Sequence, residues 1–269
     1  LANAINVMLA RLLGRPEPGE ELDEDEAMLD PTVLLMGEAD DADLGSEMAT
    51  DLLEAHARFR DDDGARVAVL TGTGDFFCTG MDLKQAVETE DYHIDPRTID
   101  IFEPEDLPKP IVSAINGWAV GAGMSLAIEV TELAIMSRDA RMAMWEMRSG
   151  APARWQYRAT YSLTPAEAAT VSYGHVIDSK RALEMGLVNR VVPSDSLMDA
   201  AMETAEYIAG LPPMAVAATK ALLRRAAPRV PAELERYARS LIMPLVSSRH
   251  NVEGIQDFVE RRAPDDRER

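Results

Sequence analysis

Short, uninterrupted apolar runs recur along the first half of the chain. They fall at residues 33–36, 67–71, 111–115 and 133–136, separated by helix-compatible or loop segments. A strand covered on one face alternates apolar and polar positions, whereas a continuous run needs cover on both, so the spacing predicts an α/β architecture. Between the first two runs, Met48, Leu52, Leu53 and Ala57 follow a three-or-four spacing. This predicts an amphipathic helix over 46–60, with Ser46 as its cap and Asp61 to Gly64 as its end. Beyond Thr164 the period is mainly helical, and helices are expected over 164–172, 179–185, 196–209, 214–226, 231–246 and 252–261. No internal repeat emerges.

Residues 1–13 carry a short apolar helical pattern, but 14–30 hold two prolines, two glycines and a dense acidic run. Such a stretch cannot bury enough apolar surface to order itself and reads as a solvated linker. The expected division is therefore an N-terminal segment and acidic linker over 1–30, an α/β core over 31–195 and a helical region over 196–269.

Composition adjusts this picture at a few points. With 269 residues, 46% of them apolar, the chain can bury one sizeable core. No run approaches the ~18–20 apolar residues of a spanning helix, and the first residues lack the basic flank and cleavage site of a secretory leader. A cytoplasmic protein is expected. The single cysteine, Cys78, gives no disulfide framework, and His56, His93, His175 and His250 lack metal-ligand spacing. No metal site is expected. A formal net charge of −20 argues against nucleic acid and anionic membranes as partners. Lysine occurs only at Lys84, Lys109, Lys180 and Lys220, all other basic side chains being arginine. A surface of this sign suits molar salt, where the Debye length falls to ~3 Å, and points to a salt-loving source.

Two segments carry candidate chemistry. The first, 71–83, reads as a strand end, a glycine-rich turn and a helix start, but Phe77 replaces the third glycine of a dinucleotide fingerprint and no Gly-Lys-Ser/Thr follows. The second, 109–125, is again strand, turn and helix start. The small residues Gly121, Ala122 and Gly123 allow close approach to a main chain whose first-turn N–H groups lack helical partners, and the helix dipole there favours negative charge. Close packing of helix on strand demands small residues equally. Ser46, Ser113 and Ser125 lie in no Gly-x-Ser-x-Gly elbow, which argues against serine-hydrolase chemistry.

Taken together and in order, these segments resemble the crotonase (enoyl-CoA hydratase/isomerase) superfamily. Residues 77–83 match its Phe-Cys/Ala-x-Gly-x-Asp-Leu signature, and 109–123 its Lys-Pro-x-Ile-x-Ala-x-Asn-Gly-x-Ala-x-Gly-x-Gly block. Further on, 137–141 with Glu146 looks like the second catalytic strand and loop, 182–193 like the Ala-x-x-x-Gly-Leu-Val-x-x-Val-Val-Pro stretch, and 254–262 like the terminal helix. The likeness runs from about Thr32 to Pro264.

The resemblance implies a spiral of β-β-α units with a helical C-terminal region used for trimerisation, and a homotrimer or dimer of trimers. It implies an acyl-CoA thioester substrate, with coenzyme A a part of that substrate and no bound cofactor. The N–H groups of Met81 and Ala122 would hold the thioester oxygen as it becomes an enolate, a contribution typically worth about 2.7–4 kcal/mol per donor. Phe77, Thr79, Gly80, Asp82, Leu83, Trp118, Gly121, Gly123 and Trp145 would line the substrate site. Glu146, set among Met144, Trp145 and Met147, should be desolvated and titrate in the range useful for acid/base work.

Three positions depart from the family pattern. Ser125 stands where hydratases carry the first of two carboxylates, leaving Glu146 as the single acid/base and keeping both isomerisation and hydration open. Glu129, one turn on, is a weaker substitute because helical rise carries it about 6 Å further. The loop 38–44, expected to be basic near the CoA phosphates, is acidic. The stretch 150–158 replaces a glycine-rich one, with Arg154 and Arg158 as potential phosphate contacts. A non-catalytic acyl-CoA-binding or assembly subunit with a degenerate site is the rival reading, since fold does not certify activity.

Overall fold

The structure, a computed structural model, describes residues 30–36, 43–44, 46–89, 107–150, 163–227, 230–246 and 248–259. The N-terminal pattern and linker, the acidic positions 38–42 and the arginines at 154 and 158 lie outside the described residues.

The apolar runs form one parallel sheet. Strands β1 (Asp30–Met36), β3 (Ala65–Gly72), β6 (Ile111–Ile115), β8 (Leu133–Ser137) and β11 (Arg190–Val192) pair in the order β1-β3-β6-β8-β11. The central strands β3, β6 and β8 are covered on both faces, which is why they read as unbroken apolar runs. Ala68 and Leu70 of β3 join one buried cluster, whereas Val67 and Val69, facing the other way, join a second. Helix α6 (Leu197–Ala209) covers the second cluster through Ala200, Ala201, Ala205 and Ala209. This helix, the first of the expected C-terminal helical region, packs directly on the sheet. Each Val, Leu or Ile fully buried here contributes about 1.5–3 kcal/mol of transfer free energy.

A second sheet lies within the other cluster. Strands β4 (Phe76–Cys78), β7 (Trp118–Val120), β9 (Arg141–Ala143) and β10 (Ile177–Asp178) run in the order β10-β9-β7-β4. The pairs β4–β7 and β7–β9 are parallel, and β10 is antiparallel to β9. A two-strand piece pairs β2 (Asp43–Leu44) with β5 (Gly80–Met81). The segment read as a turn before a helix thus folds into β4 and β5 ahead of α2 (Leu83–Thr89). Strands of two or three residues carry too few positions to show a period.

The predicted helices form with small shifts at their ends: α1 (Ser46–Asp61), α4 (Pro165–Ser172), α5 (Ser179–Glu184), α7 (Pro213–Ala226), α8 (Ala232–Val246) and α9 (Arg249–Val259). Thr164 caps α4 in a reciprocal box with Glu167, fixing its start. Among the described residues no helix is long and apolar enough to cross a membrane.

Helix α1 brings an ionisable network to the N-terminal end of β6. The buried Lys220 of α7 pairs with Glu132 at 2.9 Å and donates to the Lys109 carbonyl at 2.6 Å. Lys109 in turn donates to the carbonyls of Phe59 and Asp62, near the end of α1. His56 of α1 is buried with neither ring nitrogen hydrogen-bonded among the described residues. Burial, followed by the charges of Lys220 and Arg224, lowers its pKa to about 4. The native state resists a proton that the unfolded chain takes up near 6.5, so this stability is complete above 6.5 and is lost as pH falls toward 4. A shift of this size corresponds to about 3 kcal/mol. His56→Met is therefore expected to gain on the parent as pH drops through that window, read as the difference between their melting midpoints at each pH.

Candidate active site

The site follows from strand direction. Because β4, β7 and β9 are mutually parallel, with Cys78 opposite Ala119 and Val120 opposite Ala143, their carboxyl ends emerge together. Residues 80–81, 121–122 and 146, far apart in the chain, are delivered to one edge. In open α/β sheets that edge is where ligands bind.

Several contacts fix the three segments against one another. The Gly121 N–H donates to the Ala143 carbonyl at 2.8 Å, tying the turn after β7 to the end of β9. Asn116 clamps the preceding turn: its Oδ1 accepts from the Gly72 N–H, and its Nδ2 donates to the carbonyls of Gly74 and Phe76. Gly80, at φ 91°, presses on the same turn; a Cβ there would lie 2.9 Å from the Val120 oxygen and 3.4 Å from the Ala122 nitrogen. The residue carrying one sequence-predicted amide, Ala122, is thus adjacent to the strand carrying the other, Met81. Ala122 opens helix α3 (Ala122–Glu129), and no main-chain acceptor among the described residues takes its N–H.

The two glycines flanking Ala122 do different work. At Gly121, φ is 57° and ψ −123°, a region L residues rarely enter, and a Cβ would stand 2.8 Å from Glu146 Oε1. At Gly123 a Cβ would meet the Cys78 carbonyl oxygen at 2.1 Å, so here the small residue serves helix-on-strand packing.

Glu146 opens a 3-10 turn, Glu146–Ser149, directly after β9. The residue is half-buried, but its Oε2 is enclosed. Burial raises its pKa from 4.5 to about 7, only partly opposed by a hydrogen bond from its own backbone. A carboxyl poised at that pH both accepts and returns a proton. Ser125, in the first turn of α3, is fully buried, and its hydroxyl has no partner among the described residues. Glu129 ends the same helix.

The remaining predicted residues fall around this edge. Phe77 is fully buried under it, Thr79 precedes β5, and Asp82 and Leu83 lead into α2, where the Asp82 carbonyl accepts the Ala86 N–H. Trp118 of β7 and Trp145, the residue before Glu146, meet with ring centroids 5.4 Å apart. Sequence reasoning missed Asn116 as the clamp and Arg148, whose guanidinium lies 4.3 Å from the Trp145 ring centroid. The Asn-Gly pair at 116–117 was the available signal for the first. Among the described residues no group of three or more His, Cys, Asp or Glu gathers as a metal site would require.

Comparison with known proteins bears on this arrangement. The family model for enoyl-CoA hydratase/isomerase matches residues 40–269. The chain belongs to the enoyl-CoA hydratase/isomerase family. A carnitinyl-CoA dehydratase of Proteus mirabilis is 36% identical over 223 residues, 79% of this chain and 85% of that one. Among solved structures, a carnitinyl-CoA hydratase from Mycobacterium avium superposes with a TM-score of 0.75 at 27% identity, covering 88% of this chain and 95% of its own. An enoyl-CoA hydratase/isomerase from Pseudoalteromonas atlantica T6c gives 0.73 at 25% identity, covering 87% and 95%. The expected crotonase fold, with its mixed sheets and helices, is the one these neighbours share.

Proposed function

We propose that this acyl-CoA enzyme moves a proton between carbons beside a thioester carbonyl, with Glu146 as its single acid/base. The observation that carries the proposal is the Glu146 carboxyl seated against the Gly121–Ala122 turn, its pKa raised by burial to about 7. The Glu146 carboxylate takes a proton from Cα of a 3-enoyl-CoA; the electron pair spreads into a dienolate whose oxygen accepts from the N–H groups of Met81 and Ala122. Protonated Glu146 then returns the proton to Cγ, leaving a 2-enoyl-CoA. Coenzyme A enters and leaves as the substrate's handle.

Ser125 favours isomerisation because a hydroxyl supplies no carboxylate where hydration uses a second acid. The relatives favour dehydration or hydration, since the similar curated proteins are carnitinyl-CoA dehydratases. Assays in high KCl with 3-enoyl-CoA, 2-enoyl-CoA and carnitinyl-CoA separate the readings. Faster conversion of the 3-enoyl thioester than hydration of the 2-enoyl one is expected; the reverse order assigns a hydro-lyase. Binding of all three without turnover would establish the non-catalytic rival.

The same reading includes assembly. Helices α7 and α8 expose Met214, Leu222, Leu223, Tyr237, Leu241 and Leu245, between 41% and 86% accessible. Exposed large apolar side chains in such number suit an interface, so we assign these two helices to self-association in threes. Sedimentation at three or six times the chain mass is expected, reduced to the monomer by Leu222→Asp together with Leu241→Asp.

A further inference from the structure

We infer that Arg148 selects acyl groups bearing a distal carboxylate, an inference that rests on the acyl-CoA reading of the site. Among the described arginines, Arg58, Arg60, Arg181, Arg190, Arg224 and Arg249 hold an acidic neighbour, whereas Arg66 and Arg141 donate to main-chain carbonyls. Arg148 makes no ion pair among the described residues, and its guanidinium instead rests on the Trp145 ring.

Its placement gives this meaning. Arg148 belongs to the same 3-10 turn as Glu146, and such a turn rises ~2 Å per residue, so the two stand about 4 Å apart along its axis. Trp145, beneath the guanidinium, is also the ring that meets Trp118 of β7. Stacking on an indole holds a guanidinium in plane while leaving its N–H edge open, the edge that pairs a carboxylate in bidentate fashion. A carboxylate one or two carbons beyond the reacting pair would find that edge. A trimethylammonium at the same place meets like charge, and the aromatic face that would otherwise take it is filled by the chain's own cation. The local turn Gly150, at φ 93°, backs against His250 and Asn251 of α9, which fixes the exit of the segment carrying Arg148.

The anion could belong to the acyl chain or to the phosphates of coenzyme A, and paired ligands tell these apart. Calorimetric titration of the full chain with glutaryl-CoA and butyryl-CoA compares thioesters that share every phosphate and differ in one carboxylate. Roughly tenfold or tighter binding of glutaryl-CoA is expected, with the ratio falling toward one in Arg148→Gln. Equal affinities in the parent overturn the inference while leaving the acyl-CoA reading intact. Equal weakening of both ligands by the substitution assigns Arg148 to phosphate and likewise overturns it. Binding of neither thioester removes the acyl-CoA reading and the inference together. Arg148→Lys keeps the charge but not the planar fork, so partial retention of the ratio marks a recognition contact, whereas a merely structural role would leave the ratio unmoved in every variant.

Discussion

Glu146→Gln is expected to lower turnover by about 10² to 10⁴ while the fold persists, because an amide keeps the shape of the side chain and cannot carry the proton. In the parent, turnover should climb with pH through about 7, as the carboxylate form accumulates. The stability effect has the opposite sign. The folded pKa lies above the unfolded value of 4.5, so the native state prefers the protonated acid, and stability falls as pH rises from 4.5 to about 7. Above that window the parent bears a penalty of up to about 3 kcal/mol that the amide escapes. A variant that is inactive and also melts higher at pH 8 is the expected pair of results. Undiminished turnover would take Glu146 out of the chemistry.

The two glycines around Ala122 should fail in opposite ways. Gly121→Ala forces a side chain into a positive-φ conformation, at a cost of order 1–3 kcal/mol, and drives its Cβ onto the Glu146 carboxylate. A carboxylate is the far end of a flexible side chain and moves aside. The molecule stays folded, but displacement of the acid by about 1 Å costs ~10²-fold in rate. Gly123→Ala meets main chain instead, the Cys78 carbonyl at 2.1 Å, which cannot step away without lifting α3 from β4. Overpacking of this kind costs about 1–3 kcal/mol or more, and a melting midpoint lower by roughly 5–10 °C is expected. Thermal melting beside activity discriminates the two: a Gly121 variant that unfolds, or a Gly123 variant that melts like the parent, contradicts this division.

Much of the main sheet was legible in the sequence because its central strands are covered on both sides and keep an unbroken apolar signal. The 111–115 strand is found where it was expected, and the 67–71 strand widens to Ala65–Gly72. The smaller sheet was not legible. Phe76–Cys78 and Trp118–Val120 are three residues each, and their parallel pairing is a long-range fact that no local pattern carries. Among the site residues, Glu146 was reached through the family resemblance, and its large apolar neighbours then implied desolvation. Met81 and Ala122 could be named only through the family resemblance, since a main-chain donor leaves no mark on side-chain type. Asn116 escaped notice because its three contacts reach across 40 or more residues. His56 read as an ordinary helix residue; what makes it unusual is its burial and, after that, the charges of Lys220 and Arg224, which only tertiary packing supplies.

The fate of the four lysines has a chemical consequence. Thioesters acylate free amines without help, so a protein that holds them is a target for its own substrate. Here Lys109 is engaged at two carbonyls and Lys220 is enclosed in an ion pair, leaving Lys84 and Lys180 as the exposed side-chain amines. A coat of guanidinium groups, protonated at any physiological pH and poorly nucleophilic, leaves little for a stray acyl group to attack.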